Sequence, residues 1–389
     1  MKINFPLLAL AVGAFGIGTT EFSPMGLLPV IARGVDVSIP AAGMLISAYA
    51  IGVMVGAPLM TLLLSHRARR SALVFLMAIF TVGNVLSAMA PDYTLLLLSR
   101  IVTSLCHGAF FGLGSVVAAS VVPKHKQASA VATMFMGLTI ANIGGVPAAT
   151  WMGETIGWRM SFLATACLGV VAMLGLWFSL PQGSSGERPD VRRELSVLVR
   201  PQVLTALLTT VLGAGAMFTL YTYIAPVLHT VTGASPLFVT SMLILIGVGF
   251  SIGNYLGGKF ADRSVVGTLK GFLLLLMAIM AAIPWLAQTH AGAALSMLVW
   301  GAAPFAVIPP LQMRVLRVAH DAPGLSSSVN IGAFNLGNAL GAAAGGAVIS
   351  GGLGYGFVPV MGAIIAGLGL LLVLASGRRQ EECACADNG

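Results

Sequence analysis

Uncharged stretches in this chain run too long for any soluble fold. Twelve mostly apolar stretches, at 6–31, 39–64, 71–90, 93–121, 127–153, 158–180, 202–228, 235–258, 267–287, 293–313, 324–350 and 354–376, follow one another with short polar breaks. About 20 apolar residues cross the roughly 30 Å of hydrocarbon in a bilayer. The polar breaks hold nearly all of the 20 Lys and Arg and the 12 Asp and Glu present in 389 residues. That is 8% charged, against about 25% in a soluble domain. Too few charges exist to make a polar skin, so soluble enzymes, nucleic-acid binders and disordered chains are excluded. The net charge of +8 suggests nucleic acid only until the charges are located, between the apolar runs.

Each run is expected to be a helix, because a segment in lipid must satisfy its own backbone polar groups. A barrel would show alternating strands of about ten residues, and these runs are continuous and about twice as long. Met1 to Phe15, with Lys2, has the look of a signal peptide, but the apolar run continues to Ile31 and reads as a retained first span. With an inside N-terminus, 17 of the 20 basic residues fall on cytoplasmic segments, while Arg33 and Arg159 lie outside and Arg100 within span 4. The positive-inside rule then puts both termini in the cytoplasm. The polar stretch Pro181 to Pro201 reads as a cytoplasmic linker between bundles at 1–180 and 202–376, with a tail at 377–389. Cys106 and Cys167 lie in spans and Cys383 and Cys385 in the tail, which implies no disulfide framework and no metal site.

An internal repeat supports the two bundles. At an offset of 197 residues, Pro29 meets Pro226, Gly56 meets Gly253, Gly144 meets Gly341 and Gly157 meets Gly354. The expected fold is therefore an all-α membrane protein of twelve helices in two pseudo-symmetric six-helix bundles. Parallel repeats of this kind are one way to build alternating access around a midplane site.

Ionisable groups inside a span are costly and are functional candidates. Glu21, Arg100 and His107 are the clear cases. Glu21 lies about 22 Å along its helix from Pro6, and His107 shares a helical face with Arg100, about 10 Å deeper. A carboxylate, a fixed cation and a titratable imidazole suit proton coupling. The alternative is a static Glu21–Arg100 lock, with His107 a satisfied interior group. At the 197 offset their counterparts are Phe218, Met297 and Pro304, which do not titrate. The first half would handle protons and the second offer an apolar wall of Phe218, Tyr221, Tyr223, Trp300 and Phe305, suited to an aromatic or amphipathic substrate. Helix packing or an interfacial aromatic belt explains those rings as well. Asn142, Asn330, Asn335 and Asn338 read first as packing glue beside close-approach glycines, and second as substrate hydrogen-bonders.

The 8–9 loop reads Gly258-Lys259-Phe260-Ala261-Asp262-Arg263, and the 2–3 loop carries Arg67, Arg69 and Arg70, with Ser65 opposite Asp262. The first of these resembles the G-x-L-A-D-R loop of the major facilitator superfamily, which implies a cytoplasmic gating latch. Arg100 followed by His107-Gly108-Ala109-Phe110-Phe111-Gly112 is similar to that family's span-4 arginine motif. Gly137 with Gly144-Gly145-Val146-Pro147 resembles its span-5 antiporter motif, although the Gly-Pro pair is absent. Trp158-Arg159 and Phe162 match its span-6 start. Gly18-Thr19-Thr20-Glu21-Phe22 and Gly26-Leu27-Leu28-Pro29 resemble the first span of the arabinose-efflux-permease subgroup of drug:proton antiporters. The resemblance covers essentially the whole chain. It implies a monomeric transporter of the bacterial inner membrane, without cofactor, that exports a sugar, nucleoside or drug against protons.

The same machinery would also run as an uptake symporter. A membrane-embedded enzyme would want paired acids or a His cluster within the spans, and a single intramembrane acid is present. A sensor would want a signalling domain, and a channel a continuous polar pore.

Overall fold

In the computed structural model the described residues are 4–37, 39–181 and 191–386. Lys2, residues 182–190 of the expected linker and the last tail residues lie outside them, as do the side chains of Cys383 and Cys385. The chain is helical and, among the described residues, without strands: α1 (Phe5–Gly34), α2 (Ile39–Leu64), α3 (Arg69–Met89), α4 (Tyr93–Ser120), α5 (Gln127–Ile140), α6 (Val146–Met152), α7 (Trp158–Ser179), α8 (Val191–Leu198), α9 (Pro201–Tyr221), α10 (Ile224–Val227), α11 (Pro236–Ala261), α12 (Val265–Leu286), α13 (His290–Val318), α14 (Pro323–Ser350) and α15 (Val358–Ala386).

Helix starts follow from the sequence. The side chains of Asn4, Asp92, Ser235, Ser264 and Thr289 each accept a backbone N–H from the first turn of α1, α4, α11, α12 and α13. Such caps satisfy donors that have no partner inside the helix. Ten helical stretches are long and apolar enough to cross a membrane, with Lys124–Ser179 counted once at 56 residues. That stretch holds expected spans 5 and 6, joined through a π-helical turn at Gly153–Gly157, with a second π-helical turn at Ala141–Gly145 inside span 5. The remaining span is α14, whose many Gly and Asn residues dilute its apolar character. The result is the twelve-span all-α architecture.

Two compact units exist, Met1–Val197 with His320–Gly332, and Leu198–Ala319 with Ala333–Gly389. In the first, α2 packs on α4, and α3 on both α4 and α7, with α1 against α5 and α7. The second unit repeats the pattern: α11 packs on α13, α12 on both α13 and α15, and α9 on α15. Close approach explains two of the repeat glycines. A Cβ on Gly253 of α11 would strike the carbonyl of Ala302 in α13, and one on Gly341 of α14 would strike that of Gly215 in α9. Gly157 and Gly354, partners at the 197 offset, both hold positive φ, at 129° and 81°. Only glycine takes such backbone angles without steric cost. Each sits just before the last long helix of its unit.

The first unit also takes in the start of α14. Ser327 Oγ donates to the carbonyl of Gly112 at 3.0 Å, and Thr61 and Ser328 hydroxyls lie 2.7 Å apart. Ser326, Ser327 and Ser328 are fully buried there.

Candidate functional site

Arg100 sits on α4 with 1% exposure. Its Nη1 donates to Thr20 Oγ1 at 3.1 Å and its Nη2 to the Thr20 carbonyl at 2.9 Å. A mid-helix carbonyl is normally taken by the N–H four residues on. Here that residue is Pro24, inside α1, and proline has no N–H. The sequence of α1 therefore frees one acceptor in the apolar interior, and Arg100 occupies it. Thr20 Oγ1 in turn donates to Asn84 Oδ1 of α3 at 2.6 Å, and Asn84 Nδ2 donates to the Phe80 carbonyl at 2.8 Å.

Aromatic faces complete the setting. The guanidinium carbon lies 4.4 Å from the Tyr49 ring centre and 5.6 Å from that of Phe162. Arg100 Nε has no hydrogen-bond partner. A cation over a ring face is attracted by about 2 kcal/mol or more when desolvated. Tyr49 then reaches His107, with its hydroxyl 3.2 Å from Nδ1. Phe111 flanks the imidazole at 5.1 Å between ring centres and itself stacks on Phe135.

Glu21, next to Thr20, is half-buried and feels the charge of Arg100. Among the described residues no ion pair joins them within 4.0 Å. The structure thus does not contain the direct Glu21–Arg100 lock weighed from sequence. It brings Arg100 and His107 together through Tyr49, and Arg100 to the residue beside Glu21 through Thr20. In the sequence Thr20 stood out only as part of the first-span motif, and Tyr49 and Asn84 not at all, because a threonine, tyrosine or asparagine in an apolar span is ordinary. Pro24, four residues past Thr20, was the available signal.

In the second unit, the rings gather as a cluster. Phe218 meets Tyr221 at 6.0 Å and Phe334 at 5.7 Å, Tyr221 meets Trp300 at 6.2 Å, and Phe250 stacks on Phe305 at 4.1 Å. Phe250 and Phe334 were not expected. Trp300 is fully buried and its indole Nε1 has no partner. Tyr223 donates to the Ala342 carbonyl of α14 at 2.9 Å. Asn142 donates to the Leu138 carbonyl of its own helical run at 3.0 Å. Asn330 and Asn335 are buried on α14, and Asn338 is half-buried.

The span-5 motif residues divide. Gly137 lies against the Ala11 carbonyl and Gly145 against Thr19, both on α1. A Cβ on Gly144 would meet open space, and Pro147 is exposed. Of the loop cations, Arg70 lies over Trp177 at 4.5 Å and its Nη1 donates to the Leu180 carbonyl at 3.5 Å. Lys259 lies 6.0 Å from the Tyr255 ring centre. Arg263 edges a groove of about 460 Å³ with Phe260, Ser264 and Phe272, and Asp262 caps the end of α11. Arg67 and Arg69 stand at the start of α3. No group of three or more His, Cys, Asp or Glu that could hold a metal is found among the described residues.

Residues 10–342 match the family described as the Major Facilitator Superfamily. The chain is 83% identical over 388 residues to the inner membrane transport protein YdhP of Escherichia coli (strain K12), covering 100% of both. It is 34% identical over 340 residues to the chloramphenicol resistance protein of Streptomyces lividans, covering 86% of this chain and 87% of that one. Among solved structures, the proton:xylose symporter XylE bound to 6-bromo-6-deoxy-D-glucose superposes with a TM-score of 0.75 at 17% identity, over 95% of each chain.

Proposed function

This chain belongs to the major facilitator superfamily, a family of transport proteins rather than enzymes, and from that premise we propose that it exports a small organic solute in exchange for protons. The observation that carries the reading is the Arg100 site. A cation is held in the interior by a carbonyl and two rings, with a carboxylate nearby that it does not touch. A paired Glu21 would be locked as an anion. An unpaired one, half-buried beside the cation, is able to gain and lose a proton as α1 and α4 shift, because burial and the Arg100 charge act on it in opposite senses.

In this reading Glu21 carries the proton, Arg100 biases it and His107 relays. The rings of the second unit, with Phe218, Tyr221, Trp300 and Phe305 at their centre, hold the solute, and the asparagines of α14 supply polar contacts. The loops with Asp262, Arg263, Lys259, Arg67, Arg69 and Arg70 gate the cytoplasmic side. The protein works as a monomer of the bacterial inner membrane with both termini cytoplasmic. Its halves are 1–180 and 202–376, joined by the linker at 181–201. The 34% identical relative is a chloramphenicol resistance protein, which supports export of a drug-like solute; sugars and nucleosides belong to the same panel.

Purified protein in liposomes that enclose a pH dye tests this. Sugars, nucleosides and amphipathic drugs are added one at a time across an imposed pH gradient. A solute whose movement discharges the gradient in exchange mode is the expected result, and Glu21→Gln is expected to abolish the discharge while solute counterflow persists. Solute accumulation in the same direction as proton flow would replace export with uptake. Wild-type coupling in Glu21→Gln would remove Glu21 from the mechanism.

A further inference from the structure

The proton-coupling reading names Arg100 and His107 but leaves open how one senses the other. They are seven residues apart on α4, and no atom of one touches the other in the contacts described above. Tyr49, from α2, touches both. Its ring faces the guanidinium at 4.4 Å, and its hydroxyl lies 3.2 Å from His107 Nδ1. The two rings meet edge-on at 5.8 Å. Tyr49 is 3% exposed and His107 4%, so water does not compete for the contact. The groups within electrostatic reach of the Tyr49 hydroxyl are Cys106 and Arg100 of α4 and Glu21 of α1. On its other side His107 meets the apolar ring of Phe111. The Tyr49 hydroxyl is therefore the one hydrogen-bonding group that the imidazole finds among the described residues.

We propose that Tyr49 is a positioning residue that transmits the position of Arg100 to His107 by setting the imidazole tautomer. A neutral imidazole has one N–H and one acceptor nitrogen. Tyr49 O–H donates to Nδ1, which leaves the ring proton on Nε2. The cation over the ring face draws electron density from the phenol and makes its O–H a stronger donor. When Arg100 moves off the ring, that donor weakens. The single ring proton is then able to sit on Nδ1 instead of Nε2, and the hydroxyl, turned about its C–O bond, accepts from Nδ1–H. Arg100 is itself anchored to the Thr20 carbonyl, one residue from Glu21. A displacement of α1 thus reaches His107 through a single aromatic ring. The inference rests on the proton-coupling reading for its purpose, though not for its geometry.

The test is nitrogen NMR on protein carrying ¹⁵N-histidine, in lipid nanodiscs, at fixed pH and with no solute or gradient. The His107 signals are assigned by their loss in His107→Gln. Wild type is expected to show Nδ1 as an unprotonated acceptor and Nε2 as the protonated nitrogen. Tyr49→Phe keeps the ring over Arg100 and removes the hydroxyl. Its Nδ1 signal is expected to move toward the average of the two tautomers. Arg100→Gln is expected to move the Nδ1 signal in the Tyr49 protein and to move it by less than half as much in the Tyr49→Phe background. Identical His107 spectra in wild type and Tyr49→Phe overturn the proposal, as does an Arg100→Gln shift that is equal in both backgrounds. Should Tyr49→Phe not accumulate, growth on 3-fluorotyrosine strengthens every phenol donor without a substitution. It is expected to move the same signal, and an unmoved signal overturns the proposal equally. The spectra read the hydrogen bond alone, so their failure leaves the transport reading standing, whereas uncoupled transport with the expected spectra sinks that reading instead.

Discussion

Arg100 Nη2 donates to the carbonyl oxygen of Thr20 at 2.9 Å, an acceptor that exists because Pro24 follows four residues later in the same helix. A proline inside a helix usually counts as a defect, since it removes one hydrogen bond. Here the bond is replaced by one from a buried cation, and a charge-assisted bond is roughly twice as strong as a neutral one. The defect and the charge each remove the other's penalty. A bare carbonyl in an apolar interior and a bare guanidinium would each be expensive.

Arg100→Lys should show that geometry, beyond charge, matters. Lysine keeps the cation but loses the planar fork that reaches Thr20 Oγ1 and its carbonyl together, and it stacks less well on Tyr49. Hydrogen bonds to charged groups contribute about 1.5–3 kcal/mol each. A fall of several degrees in thermal midpoint is expected, with proton-coupled transport lowered at least tenfold. Wild-type values in both measurements would refute the bidentate role.

Restoring an N–H at position 24 should compete with Arg100. In Pro24→Ala, α1 regains its internal bond to the Thr20 carbonyl, and Arg100 Nη2 loses its acceptor. Helix content by circular dichroism should hold or rise, while coupled transport falls by about tenfold, the equivalent of about 1.4 kcal/mol. A folded variant with undiminished transport would mean the carbonyl is incidental.

Gly112→Val should destabilise the first unit. An added Cβ would lie 2.6 Å from the backbone nitrogen and Cα of Ser328, and a backbone cannot yield as a flexible side chain can. Overpacking of this kind costs about 1–3 kcal/mol. Ser327→Ala, which removes only the bond to the Gly112 carbonyl, should cost about 1 kcal/mol. Melting in detergent should rank the two variants in that order below wild type.

Trp300→Phe should separate binding from stability. The buried indole N–H makes no hydrogen bond within the protein, so its removal forfeits none. The melting midpoint should fall only by what the lost ring volume costs. If the N–H meets the solute, affinity for the best compound of the transport panel should weaken about tenfold, as loss of one hydrogen bond implies. Unchanged affinity would place the solute elsewhere.

Much of the fold was legible because hydrophobic length is a one-dimensional property. The caps at Asn4, Asp92, Ser235, Ser264 and Thr289 act over three residues, so helix starts fell close to the expected cuts. The one span that composition blurred was α14, where Gly and Asn serve close packing rather than lipid contact. At the site, Arg100 and His107 stood out because charge and titration are rare in such sequence. Tyr49 and Thr20 did not, since a tyrosine or threonine in an apolar span is ordinary. Tyr223 was grouped with the other rings by type; that its hydroxyl reaches the Ala342 carbonyl is decided by the packing of α14.

The sequence by itself determined that this chain lives in lipid, how many helices cross it and which few charges stay inside. Each of these follows from the cost of placing polar groups in hydrocarbon, a cost that local sequence already states. The tertiary structure alone decided that Arg100 binds a carbonyl 80 residues away instead of the carboxylate beside it. Which acceptor a buried cation takes depends on the distance and direction of groups on other helices. Those are set only when α1, α2, α3 and α4 pack together.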